Sequence, residues 1–140
     1  MYQKVIIAGR LGGDPEMRYM PDGTPVTNFS VATNRRWTDS ASGEPREETI
    51  WFRVSVWRRQ AESANEYLSK GRQVLVEGRM RPDPQTGGPR VWTAQDGTVR
   101  ASYEITADVV RFIGGRDETS FAADGGGEGA APQEEDEIPF

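Results

Sequence analysis

Residues 50–59 read IWFRVSVWRR and concentrate the residue types able to do chemistry in this chain. Side chains on a strand alternate between its two faces. Ile50, Phe52, Val54 and Val56 therefore point one way and offer a continuous apolar face to a core. Trp51, Arg53, Ser55, Trp57 and Arg59 point the other way. An indole can stack on the π-face of any unpaired base, a contact worth roughly 1–3 kcal/mol per base. Guanidiniums on the same face can meet the phosphates between bases and stack as well. Trp37 directly follows Arg35 and Arg36, and Trp92 follows Arg90 by two, so each tryptophan has an arginine within two residues. Large aromatics on strands commonly fill cores or subunit interfaces, but an arginine on the same face argues against a dry core. The pattern points to a platform for single-stranded nucleic acid, with Trp37, Trp51, Trp57 and Trp92 as stacking residues.

Other chemistries have little to work with. The 140 residues contain no Cys and no His. That leaves no disulfide, no thiolate or imidazole metal site, no cysteine nucleophile and no His-dependent triad. Glu47, Glu48 and the carboxylates after residue 114 sit in polar segments, where solvated charge is the simpler reading. The Gly-rich GRLGGD opens no helix and so fails the context test for a phosphate cradle. Asn28-Phe29-Ser30 fits a glycosylation pattern but lies mid-strand in a chain that shows no signal peptide. No catalytic residue, metal site or cofactor is expected.

The elements that must hold this platform read mostly as strands. Val and Ile number 17 against 3 Leu, a skew toward branched side chains that suit a pleated surface. Lys4–Leu11 is a short apolar run closed by Gly12, Gly13, Asp14 and Pro15. Thr24–Trp37 alternates Phe29, Val31 and Thr33 against Asn28, Ser30 and Ala32. A polar loop over Asp39–Glu47 leads into Glu48–Arg59. Gln60–Lys70 has the one helical pattern, with Gly71 as its C′ stop. Gln73–Met80 is a fourth strand, and Val99–Phe112 a fifth, after a Pro- and Gly-rich loop (Pro82–Pro89) and a short Val91–Thr93 segment. Three strands, a helix and two strands in about 110 residues is the element order of an OB-fold, a five-stranded Greek-key barrel. The expected class is all-β, with the helix between strands 3 and 4 and a disordered acidic tail.

Charge divides the chain the same way. The net charge is −5, but residues 1–113 carry +2 and residues 114–140 carry −7. A near-neutral domain thus precedes an acidic, Gly-rich extension without apolar period, which cannot bury enough surface to order itself. No stretch reaches the roughly 18 apolar residues of a membrane span. A cytoplasmic protein is expected.

Taken together, KVIIAGRLGGDPEMRYMPDGTPVTNFSVAT, TIWFRVSVWRRQAESANEYLSKGRQVLVEGRM and the closing EEDEIPF closely resemble the bacterial single-stranded DNA-binding protein family. The resemblance covers about residues 1–113 and the last seven, in order. It implies an OB-fold DNA-binding domain over 1–113, a flexible linker over 114–133 and an acidic partner-docking tip over 134–140. It also implies sequence-tolerant binding of single-stranded DNA, a homotetramer with one barrel per subunit, and a nucleoid-associated place in the cytoplasm. Trp37, Trp51 and Trp57 fall where the family places stacking aromatics, and Trp92 fits less closely because Pro82–Pro89 lengthens its hairpin. Lys4, Arg18, Arg53, Arg59, Lys70 and Arg72 match positions that tend to be basic and would track phosphates. Arg35 and Arg36 make the approach to Trp37 more basic than is usual, and join them. Asp136, Glu137, Ile138, Pro139 and Phe140 would form the tip, whose Phe140 enters a pocket on replication and repair proteins.

Two other readings compete. An RNA-directed OB protein or a replication-restart accessory factor would bind a short site and need no acidic apolar tip. A carboxylate-dependent nuclease would need two or three acids together on adjacent strands, a placement the sequence does not supply. Both rank well below a non-enzymatic binder of single-stranded DNA.

Overall fold

Alternation and turn chemistry build the barrel directly. The computed structural model describes residues 1–114. Its elements are β1 (Val5–Leu11), β2 (Glu16–Tyr19), β3 (Pro25–Thr38), β4 (Pro45–Trp57), α1 (Arg59–Tyr67), β5 (Gln73–Met80), β6 (Arg90–Thr93) and β7 (Val99–Phe112). Neighbours run β1-β5-β7-β4-β3, and β3 returns to β1 through Arg10↔Ala32 and Leu11↔Val31. The pairing of β4 with β7 is parallel and the others are antiparallel. The result is a closed five-stranded OB barrel, with the helix between its third and fourth strands. β2 and β6 are short additions, on β3 and β7 respectively.

The inward positions of the strands make the core. Ile7, Leu11, Phe29, Val31, Val54, Val56, Val74, Val76 and Ile105 are buried together, with Ala64 and Leu68 closing one end. The helix fits there because its inner face is small: Ala61 and Ala64 have no exposed surface. The buried Thr27 hydroxyl donates to the Ala61 carbonyl at 2.6 Å, which fixes the helix on β3. Tyr67 lays its ring against Phe112, centroids 5.6 Å apart.

Four differences from the expected elements have physical causes. The helix stops at Tyr67, and Gly71 is not its C′ residue. Leu68 turns extended (φ −91°, ψ 148°) to drop into the core, and Gly71 takes its positive φ in the following turn. The loop expected over Asp39–Glu47 is shorter than that, because β4 begins already at Pro45. A turn over Asp39–Glu44 closes a hairpin in which Arg35–Glu48 (3.6 Å) and Arg36–Glu47 (3.5 Å) pair across the ladder. Charge pairs hold this ribbon where apolar alternation is absent. Ile50, expected in the core, is 39% exposed, because β4 has left the barrel there. Finally, the third strand ends at Trp57, with Arg59 beginning the helix. The linker and tip expected over 114–133 and 134–140 lie, after Gly114, outside the described residues.

Candidate nucleic-acid interface

β4 carries the site because its register puts small residues beside large ones. Trp51 sits opposite Ala32, Arg53 opposite Ser30, and Ser55 opposite Asn28 on β3. Directly opposed residues share a face, so Ala32 and Ser30 leave open space over the indole and the guanidinium. On the other flank, Arg53 aligns with Glu104 and Ser55 with Thr106 of β7. Beyond β7, Arg79 pairs with Thr106. The outer surface of β3, β4, β7 and β5 is therefore one polar, basic sheet face with tryptophans set into it.

Three clefts follow one another along this face, and a further one of about 400 Å³ lies where Gly12, Asp14 and Glu16 meet Trp51 and Arg53. Trp51, Trp92, Arg53 and Arg100 line the first, of about 410 Å³. Arg53 also lines the second, of about 510 Å³, with Arg18, Arg81 and Arg90. Glu104 and Glu16 lie there too. The Glu104 side chain is 11% exposed and its carboxylate stands 3.8 Å from the Arg90 guanidinium, which offsets its charge. The Ser55 hydroxyl donates to Asn28 Oδ1 at 2.7 Å, and both residues line this cleft. Trp57, Arg58 and Arg79 line the third cleft. From Trp51 to Trp57 is six residues of strand, about 20 Å.

Trp51 is the most open of the four indoles, at 53% exposure. Its benzo ring lies against Gly12, where a Cβ would overlap Cζ3 and stand 2.7 Å from Cη2. Glycine there leaves room for the benzo ring beside the β1 terminus.

The other expected residues are placed less uniformly. Trp92 joins Trp51, as its neighbouring Arg90 suggested. Trp37 does not. It pairs with Arg46 on the opposite face of the β3–β4 ribbon, under the Arg35 guanidinium at 4.9 Å from its ring centroid. It lines a separate cleft with Arg36, Arg46 and Glu47. Arg35 and Arg36 already face carboxylates, and Lys4 stands 3.7 Å from Glu77. Arg59, expected on the β4 face, is the first helical residue and lines none of the three clefts, and neither do Lys70 and Arg72. Sequence reasoning missed Arg79, Arg81, Arg100, Asn28 and Gly12 as groove residues. Arg79 and Arg81 were findable, since their spacing of two at the end of β5 puts both on one face. Among the described residues no group of three or more acidic residues converges as a metal site would require.

A closed OB barrel with an open basic and aromatic sheet face is the architecture of an oligomer-binding module. The chain matches the single-strand binding protein family over residues 2–113. Two single-stranded DNA-binding proteins of Neisseria meningitidis, from serogroup A and serogroup B strains, are each 43% identical to it over 132 residues. The alignments span 94% of this chain and 67% of each relative. Its fold is similar to that of a Plasmodium falciparum SSB solved as a complex with ssDNA. The TM-score is 0.66 at 27% identity, covering 81% of this chain and 97% of that one. The chain belongs to the single-strand binding protein family. That family consists of non-enzymatic DNA-binding proteins, and the chain is accordingly not an enzyme.

Proposed function

We propose that this protein binds single-stranded DNA with little sequence preference, through the outer face of β4 and the groove beside it. The observation that carries this reading is the cleft series in which Arg53 links the Trp51–Trp92 pair to Arg18, Arg81 and Arg90. Bases stack on Trp51, Trp92 and Trp57 while guanidiniums meet phosphates, a recognition that depends on π-faces and charge and hardly on base identity. Trp37 extends the path around the β3–β4 hairpin. Lys4, Arg18, Arg35, Arg36, Arg53, Arg59, Lys70 and Arg72 supply further positive charge, with Arg53 and Arg18 the most directly placed.

The domain spans 1–113, followed by a linker over 114–133. The tip over 134–140 recruits replication and repair proteins, so that coating the strand in replication, recombination and repair also gathers the enzymes that act on it. Subunits assemble as a homotetramer in the cytoplasm, on the nucleoid. The pairing of β1 supports assembly. Among the described residues, Val5–Arg10 bonds to β5 but only Arg10 and Leu11 reach β3, so one edge of Val5–Ala8 is open there beside the exposed Ile6. Such an edge invites pairing with another copy.

Competition measures the central part of this reading. Labelled oligo-dT bound to the protein should be displaced by unlabelled single strands of mixed sequence and spared by the same sequence as a duplex. Equal displacement by duplex would contradict the reading, and equal displacement by RNA would contradict its restriction to DNA.

A further inference from the structure

Arg58 combines two observations that have no common structural cause. It is the one non-glycine residue with positive φ among the described residues, at φ 62° and ψ −135°. That conformation is disfavoured for any residue with a Cβ and readily available to glycine. The junction itself asks only for backbone. The Arg58 N–H donates to the Pro25 carbonyl at 2.9 Å, and its carbonyl accepts from the Ala61 N–H at 3.0 Å. It caps the helix with no side-chain hydrogen bond. A glycine would make every one of these contacts without strain, so the reason for arginine lies in its side chain.

That side chain lines the third cleft, beside Trp57 and Arg79 and near the Met20-Pro21 turn. Among the described residues it makes no ion pair within 4.0 Å. The other charges lining the cleft are Asp22 from the turn before β3, Arg79 from β5 and Asp108 from β7. Asp22 is engaged locally, accepting the Thr24 N–H at 2.9 Å. That bond is the main reason its carboxyl stays below the ordinary value, with the Thr24 hydroxyl next and Arg58 a lesser contributor. Without Arg58, two carboxylates would outnumber one guanidinium around Trp57, and a polyanion would be turned away. With it, the cleft is neutral and the indole accessible to a strand arriving from the Arg53 groove.

We infer that Arg58 is a nucleic-acid contact, held in a glycine-like conformation so that its guanidinium meets the phosphate beside the base stacked on Trp57. It occupies the role that strand alternation alone would give to Arg59. The inference rests on the proposed single-stranded DNA function and adds a trade to it, binding gained at the expense of stability.

Wild type, Arg58→Gly, Arg58→Gln and Trp51→Ala are compared by thermal unfolding and by oligo-dT titration over a range of salt. Arg58→Gly should unfold at a higher temperature than wild type yet bind about threefold to fivefold more weakly at low salt, as one exposed charge contact allows. Its log K against log salt slope should be shallower by about 0.7, one phosphate fewer. Arg58→Gln should lose the same slope and affinity without the thermal gain, which separates charge from conformation. A wild-type affinity and slope in both variants would overturn the contact, and an unraised unfolding temperature in Arg58→Gly would overturn the strain. A wild type that fails to bind oligo-dT, or a Trp51→Ala that binds like it, would instead refute the proposed function.

Discussion

In the proposed function Trp51 is a stacking platform, and Gly12 beneath its benzo ring would set how the indole is presented. Replacing Trp51 with alanine should weaken oligo-dT binding by about 1–3 kcal/mol, while the unfolding temperature stays near that of wild type because the indole lies outside the core. Gly12→Ala tests the support beneath it. The added methyl displaces the benzo ring, so affinity should fall in the wild-type background and change little once Trp51 is already alanine. Full additivity of the two substitutions in binding would show that Gly12 acts through something other than the indole. The arginines divide similarly. Arg53 lines three clefts and makes no ion pair among the described residues, whereas Arg35 and Arg36 face Glu48 and Glu47. Arg53→Ala should therefore flatten the salt dependence by about 0.7 in log–log slope, and Arg36→Ala by less. Equal effects would mean that the hairpin pairs open when DNA binds.

At the scale of elements, the small inner residues of α1 and Leu68 just after it close the barrel end. Leu68→Ala should destabilise the domain by about 2–5 kcal/mol, since a buried leucine leaves a cavity at the barrel end, and should leave the groove's own residues untouched. Calorimetry and oligo-dT affinity on the same sample separate the two effects. The elements also show what a sequence can and cannot disclose. Alternation in β3 and β4 was legible because one face of each is buried, as Val31, Val54 and Val56 demonstrate. The β3–β4 hairpin tip was not, because cross-strand charge pairs hold it and these look like any polar loop until the register is known. β2 was hidden by its four-residue length. The turn at Arg58 was hidden because a non-glycine residue at positive φ has no sequence signature, and this moved the expected cation by one position. Trp37 is exposed and basic-flanked, yet its face depends on counting register through the hairpin, where alternation gives no apolar landmark.

By charge the whole molecule divides into the part proposed to bind DNA and a C-terminal stretch whose sign would oppose the same ligand. Residues 1–113 carry +2 and residues 114–140 carry −7, so the tail should compete weakly for the basic face. Removing residues 134–140 should leave DNA affinity equal or slightly higher and abolish capture of repair helicases, nucleases and clamp-loader subunits. A loss of DNA affinity would place the tail in the binding site instead. The truncated domain 1–113 should still weigh as a tetramer in solution, held by the barrel surfaces, and a monomer at micromolar concentration would refute that assembly. The most direct measurement of the central claim is a titration with oligo-dT, following tryptophan emission at several salt concentrations. Strong quenching is expected as bases stack on Trp51 and its neighbours, with affinity falling linearly in log–log form as salt rises. Binding without quenching, or quenching with an affinity indifferent to salt, would contradict a site built from indoles and guanidiniums on the outer face of β4.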